Sequence, residues 1–295
     1  MADFSKFGTV LKEGPNFSNS FSGDVGKIAE EKEWLKEVSP GVFLYRQEIT
    51  GIFTKLRELF EKEVVYPMEF GEMVFSRLLL PQTLADFGCI KYTPELLFEA
   101  TRGSTTRILD PVQCAPLYEA IRGQTLNYLP LLVYEPGIEP TFRNEKEEEL
   151  DSFFKAKEFR RLELIYIGTP DQVRETRRTV EKYVLSYLTN LEINWRTTVG
   201  EPCCGFPETL DKYKKAQKPD EIPIHDIEVW LPHKEEWREI AGCGIEYDRL
   251  VKAFNVGPDQ NLWSGCTGLG LNRLAYAFLA QHGFDKENWP AYLRE

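Results

Sequence analysis

Apolar and polar positions fall into two rhythms along the chain. From Glu48, residues Ile49, Ile52, Phe53, Leu56, Leu59 and Phe60 recur at three- and four-residue spacing and predict an amphipathic helix. A second helix starts at Thr169-Pro170-Asp171-Gln172, which combines an N-cap threonine, proline at the first helical position and glutamine for a capping box. Val173, Val180, Val184, Leu188 and Leu191 form its buried stripe, and Arg174, Arg177, Arg178 and Lys182 are expected to project elsewhere. A shorter helix follows Leu109–Cys114 and includes Leu117 and Tyr118. The two-residue period marks strands at 193–199, at 226–232 with Glu228 and Trp230 on one face, and at 237–243. Two extended runs, from Glu139 to Glu145 and from Glu158 to Ile167, flank an acidic turn and predict an antiparallel hairpin. Residues 1 to about 40 carry the least pattern and suggest an arm or appendage ahead of a main domain at 41–295.

At 295 residues and 42% hydrophobic content the chain can bury a substantial core. No apolar run approaches the roughly 20 residues that span a bilayer, and Met1–Lys12 lacks a signal pattern, so a cytoplasmic enzyme is expected. Six cysteines are too few for a disulfide scaffold at this length and point to thiols or metal ligands. The net charge of −11 argues against a broad nucleic-acid interface.

The hairpin carries unusual chemistry. Arg143 and Glu145 share a face of its first strand, and Arg161 and Glu163 share a face of the second. Charged groups built into strands are either an exposed face of ion pairs or a ligand floor. Phe142-Arg143-Asn144-Glu145 with its return strand resembles motif 2 of the class II aminoacyl-tRNA synthetases. Val74-Phe75-Ser76-Arg77-Leu78-Leu79-Leu80-Pro81 looks like motif 1, a strand ending in proline, and Gly268-Leu269-Gly270-Leu271-Asn272-Arg273 looks like motif 3. The three occur in family order. The resemblance implies an α+β fold, a mostly antiparallel sheet flanked by helices, and a homodimer built on motif 1.

The same resemblance implies site roles. Arg143 and Arg273 would hold ATP phosphates, Glu145 the adenine amino group, and Glu239, with Glu228 second, a Mg2+ ion on the phosphates. Glu228 is equally readable as half of a cross-strand ion pair. The family's serine after the glutamate is Gly242 here. Cys114 stands where common seryl enzymes carry a Thr-x-Glu glutamate. That replacement is similar to the methanogen-type seryl-tRNA synthetases and the amino acid–carrier protein ligases, which hold Zn2+ through Cys, Glu and Cys. Glu163 and Cys266 occupy the other two places, with an open position for a substrate amine. The alternative is that both cysteines are ordinary buried thiols. Adjacent Cys203 and Cys204 read as small wall residues or a second metal or redox element.

Three functions follow: loading a small amino acid onto a carrier protein's phosphopantetheine thiol, charging tRNA as a seryl-tRNA synthetase does, or non-catalytic binding by a paralogue. The acidic turn Glu145–Asp151 would repel RNA phosphates, and the heptads of a tRNA-gripping arm are missing. On that reasoning the carrier protein is the expected acceptor and tRNA is disfavoured.

Overall fold

The computed structural model describes residues 6–18, 21–202 and 207–294. An eight-stranded sheet runs in the order Val10–Glu13, Trp195–Val199, Ile224–Leu231, Glu236–Tyr247, Trp263–Gly270, Arg161–Gly168, Leu131–Glu135 and Gly71–Glu72. All its pairings are antiparallel except the last, where Gly71–Glu72 lies parallel to Leu131–Glu135. The expected α+β architecture, a mostly antiparallel sheet flanked by helices, is the one observed.

Alternation within the strands separates two faces. Leu162, Leu164, Tyr166, Ile227, Val229, Ala241, Cys243, Ile245 and Leu269 pack on one side against the helices Gln47–Phe60, Pro170–Asn190 and Leu271–His282. The first of these buries Ile49, Ile52, Phe53, Leu56 and Phe60, as its spacing predicts. The second starts on a complete Thr169–Gln172 capping box. It buries Val173, Val180, Val184 and Leu188, but Arg177 departs from expectation. Its guanidinium is buried and donates to the carbonyls of Ile222 (3.0 Å) and Asp220 (2.8 Å), because the 219–222 turn folds over this helix face. On the opposite side of the sheet, Ile165 and Ile167 are covered by the short helices Pro81–Phe87, Ala115–Ala120 and Arg249–Ala253. Further along that side Arg161 lines a cavity, and Glu163 lies buried beside it.

Two strands are shorter than expected. In the motif 1 segment, pairing is confined to Leu78–Leu79, which joins Ile108 and Leu109 outside the main sheet, and Pro81 opens a helix. Arg77 turns its side chain inward to buried carboxylates, which draws this segment off the sheet edge. In the hairpin, only Thr141–Phe142 pairs with Glu158–Phe159. Pro140 has no N–H to extend the ladder backwards, and Asn144 N–H donates to Leu96 O (2.9 Å) rather than to the return strand. Among the described residues, no helix is long and apolar enough to cross a membrane.

Candidate functional site

One rung across five strands reads Asp226, Gly242, Gly268, Glu163, Glu135. Three carboxylates separated by two glycines form an acidic floor with no side chains in its middle. Arg161 fills that gap. A Cβ on Gly268 would meet its guanidinium at 2.0 Å, so only glycine admits the arginine here. Arg161 Nε lies 2.8 Å from Glu163 Oε2. The neighbouring rung, Ile224–Gly244–Cys266, continues the floor.

Above it lies a cavity of about 570 Å³, lined among others by Arg143, Arg161, Asp226, Glu228, Glu239, Cys266 and Arg273. Arg143 reaches it from the hairpin, with Nε donating to Pro111 O (3.0 Å) and the guanidinium over the Phe159 ring (5.5 Å). Arg273 enters from the first turn of the helix that follows Gly270, and its Nη1 donates to Glu239 Oε2 (3.0 Å). Motifs 2 and 3 and the Glu239 strand, far apart in sequence, therefore meet at one opening. Glu145 sits in an adjoining hollow that shares Arg143, Phe159 and Arg273, with Lys155 Nζ 3.3 Å from its carboxylate. Glu228 lines the cavity and also pairs across strands with Arg196 at 2.5 Å.

Charge in the cavity is uneven. The enclosing walls work to raise the pKa of Glu239, although its side chain keeps 47% exposure, but Arg273, Arg161 and Arg143 more than offset this and hold it below the usual carboxylate range. Asp226, without such a cation, is pushed up to about 8 by burial and by the charges of Glu239, Glu228 and Glu201. Sequence reasoning passed over Asp226 as a site residue. The signal was available, since it lies two positions before Glu228 on an alternating strand and so shares its face.

At the metal-candidate end, one ligand atom each from Cys114, Glu163 and Cys266 lie within 4.8 Å of one another. Cys114 comes from the N-cap of Ala115–Ala120, Glu163 from the hairpin's return strand and Cys266 from the strand beside it. Two thiols and a carboxylate form a donor set suited to Zn2+, whose ligands stand roughly 3.5–4 Å apart around a tetrahedral ion. Glu163 is fully buried, and neither carboxylate oxygen accepts an aligned hydrogen bond. Burial raises its pKa against the pull of Arg161. The Cys266 thiol is pushed well up by its contact with Cys114, by burial and by Glu163. A buried carboxylate paired with Arg161 and set beside two sulfurs is an arrangement that a cation would complete. Cys203 and Cys204 lie outside the described residues.

The family model "tRNA synthetase class II core domain (G, H, P, S and T)" matches residues 94–282. A type-2 serine–tRNA ligase of Methanopyrus kandleri is 26% identical over 98% of this chain and 62% of its own length. A crystal structure of M. kandleri SerRS with A. aeolicus tRNASec superposes with a TM-score of 0.87 at 24% identity, covering 98% of this chain and 62% of that one. Seryl-tRNA synthetase from Pyrococcus horikoshii complexed with ATP gives a TM-score of 0.73 at 16% identity, covering 95% of this chain and 63% of that one. The chain spans about three-fifths of the length of the curated relatives it matches.

These matches correct two expectations: a carrier protein as acceptor, and tRNA as a disfavoured partner. The relatives are named serine–tRNA ligases, and the M. kandleri neighbour is bound to tRNA. The acidic turn is also partly balanced by neighbouring lysines. Lys155 pairs with Glu145 and Glu149, and Lys146 with Glu149, so the turn is less negative than its sequence suggests. With the family model covering well over half of the sequence, the chain belongs to the class II tRNA synthetase core domain family.

Proposed function

We propose that this chain is the catalytic core of an ATP-dependent ligase that activates serine as an adenylate and transfers it to tRNA. The observation that carries the reading is the shared cavity, in which Arg143, Arg273 and Glu239 line the same wall system as Cys266. The serine–tRNA ligase names of the relatives and the ATP-bound neighbour support the choice of amino acid, acceptor and nucleotide.

The first step is attack of a serine carboxylate oxygen on the α-phosphorus of ATP. The new bond is the mixed anhydride, the bond that breaks is from α-phosphorus to the bridging oxygen, and pyrophosphate leaves. The reaction demands alignment and charge neutralisation more than proton transfer. Arg143, braced by Pro111 O and Phe159, holds the α-phosphate through its planar guanidinium, and Arg273 holds the outer phosphates. Glu145 faces the adenine end beside Lys155. Glu239, with Glu228, would hold Mg2+; the carboxylate excess that raises Asp226 suits a divalent cation here. In the second step a terminal ribose hydroxyl of tRNA attacks the carbonyl carbon, and AMP departs.

Cys114, Glu163 and Cys266 would hold Zn2+, which supplies an open coordination position for the amine of the amino acid. The side-chain-free Gly244 lies beside Cys266 on the same rung, with Ile224 beyond it, and leaves a small space there. Tyr66, Met73, Val74, Leu78 and Leu80 around motif 1 are exposed and apolar, which supports a homodimer that covers this face.

Serine-dependent ATP–pyrophosphate exchange tests the reading. Exchange should respond to serine and fall about a hundredfold or more in Arg143→Ala, the scale for removing one transition-state donor. Exchange that no amino acid stimulates, or that survives Arg143→Ala intact, would overturn it.

A further inference from the structure

Beneath Cys114 lies a buried polar knot that the nucleotide and metal assignments leave unused. Asp110, Gln113 and Glu135 are fully buried, and Arg77 nearly so. Arg77 Nη1 donates to Asp110 Oδ2 (3.0 Å), while Nη2 donates to Glu135 Oε1 (2.7 Å) and Glu139 O (3.1 Å). The backbone doubles this clasp, with Asp110 N–H donating to Arg77 O at 2.9 Å. The other carboxylate oxygen of Asp110 accepts from the N–H groups of Val112 (3.1 Å) and Gln113 (2.9 Å). That pair of bonds closes a tight turn in which Gln113 adopts a left-handed φ of 61°. A non-glycine residue holds that conformation only where its surroundings enforce it.

The turn aims the Gln113 side chain across the gap between two elements. Its Nε2 donates to Glu135 Oε2 and, at 2.6 Å, to Arg161 O. Gln113 immediately precedes Cys114, and Arg161 lies two residues before Glu163. One amide group therefore fastens the loop that carries one metal-ligand candidate to the strand that carries another. Gly137 completes the enclosure: its N–H donates to Glu135 Oε2 (3.1 Å), and a Cβ there would strike Arg161 O at 2.5 Å.

We propose that Gln113, held by Asp110 and Arg77, is a positioning residue that fixes the Cys114 sulfur against Glu163 and Cys266, so that the three donors are set before a metal arrives. The inference rests on the zinc reading above. It gives Arg77 a task within its own chain: motif 1 braces the loop of the metal site. Buried polar groups of this kind tune affinity by orienting ligands they do not replace.

The test uses the full chain and measures zinc affinity by competition with a chromophoric chelator, together with the thiolate-to-metal charge-transfer band of the cobalt-loaded protein. Wild type should bind one zinc per chain. Gln113→Leu, which keeps bulk but cannot bridge, should weaken zinc about ten- to a hundredfold and shift the cobalt band, the usual range for losing an outer-shell partner. Its affinity for a fluorescent ATP analogue should stay at the wild-type value, which a general loss of structure would not allow. If Gln113→Leu does not fold, Asp110→Asn, which retains the turn's acceptor but loses the Arg77 ion pair, must show weakened zinc binding with near-ultraviolet circular dichroism intact. Wild-type zinc affinity and cobalt spectra in a folded variant would overturn the positioning role alone. Failure of wild type to bind zinc would instead overturn the metal reading, and this inference with it.

Discussion

Replacing Gly268 by alanine is a one-methyl change with a calculable consequence. The added Cβ would lie 2.0 Å from Arg161 Nε and Nη2, against the roughly 3.5–4.0 Å of an ordinary contact. Gly268 sits mid-strand between Glu163 and Gly242, so the backbone cannot yield without breaking two ladders. The guanidinium is the movable party, and it must swing off the floor. That separates it from Glu163, whose carboxylate is wholly buried, while Arg161 itself retains 19% exposure. An exposed pair would cost at most about 1 kcal/mol to break, but stranding a buried charge costs about 3 kcal/mol. Urea denaturation of the metal-free protein at neutral pH should therefore show about 3 kcal/mol lost in Gly268→Ala. In an Arg161→Ala background the same change should be neutral or stabilising by about 0.5 kcal/mol, since alanine is the better strand residue once the space is empty. Burial already raises the Glu163 pKa. The penalty should accordingly fade as pH falls and Glu163 takes up a proton, because a neutral carboxyl needs no partner. Equal effects in the two backgrounds would show that Arg161 does not lie over Gly268, and the floor as described would be wrong.

Two further outcomes are expected. Arg177→Met should destabilise by about 2–3 kcal/mol in urea melts, since it leaves the carbonyls of Ile222 and Asp220 without their charged donor, whereas Arg174→Met should stay within about 0.5 kcal/mol. Asp226, with its pKa pushed up to about 8, binds a proton in the folded chain that the unfolded chain has released by mid-acid pH. Its contribution to stability is thus full at low pH and declines as pH rises from about 4 towards 8. Asp226→Asn should flatten that slope in thermal melts of the metal-free protein, and an unchanged slope would remove the assignment.

Much of this was legible in the sequence where the determinant is local. The Thr169–Gln172 capping box and the Ile49–Phe60 stripe depend on neighbours within a turn or two, and both appear where the spacing puts them. The Cys114, Glu163 and Cys266 set was accessible by family resemblance alone, since the three residues are spread over more than 150 positions and share no ligand spacing. What escaped was tertiary. Arg177 looked like one of four solvated cations until the 219–222 turn covered it. Arg77 belonged to an expected strand, yet its pull towards Asp110 and Glu135 shortens that strand to Leu78–Leu79. Asp226 acquires its character from burial and from the charges of Glu239 and Glu228, and Glu239 comes from the adjoining strand, thirteen residues away in sequence. Net charge is a poor guide to an acceptor because it averages over a surface on which Lys146 and Lys155 pair with the acidic turn locally.

Serine activated in this cavity is proposed to pass to RNA. Incubating the chain with ATP, Mg2+, labelled serine and tRNA from a methanogen-type system, then resolving the products on an acid gel, tests it directly. The prediction is label on tRNA that is released by mild base and by ribonuclease and is absent with Arg273→Ala. Robust serine-dependent pyrophosphate exchange with no label on any tRNA would contradict it.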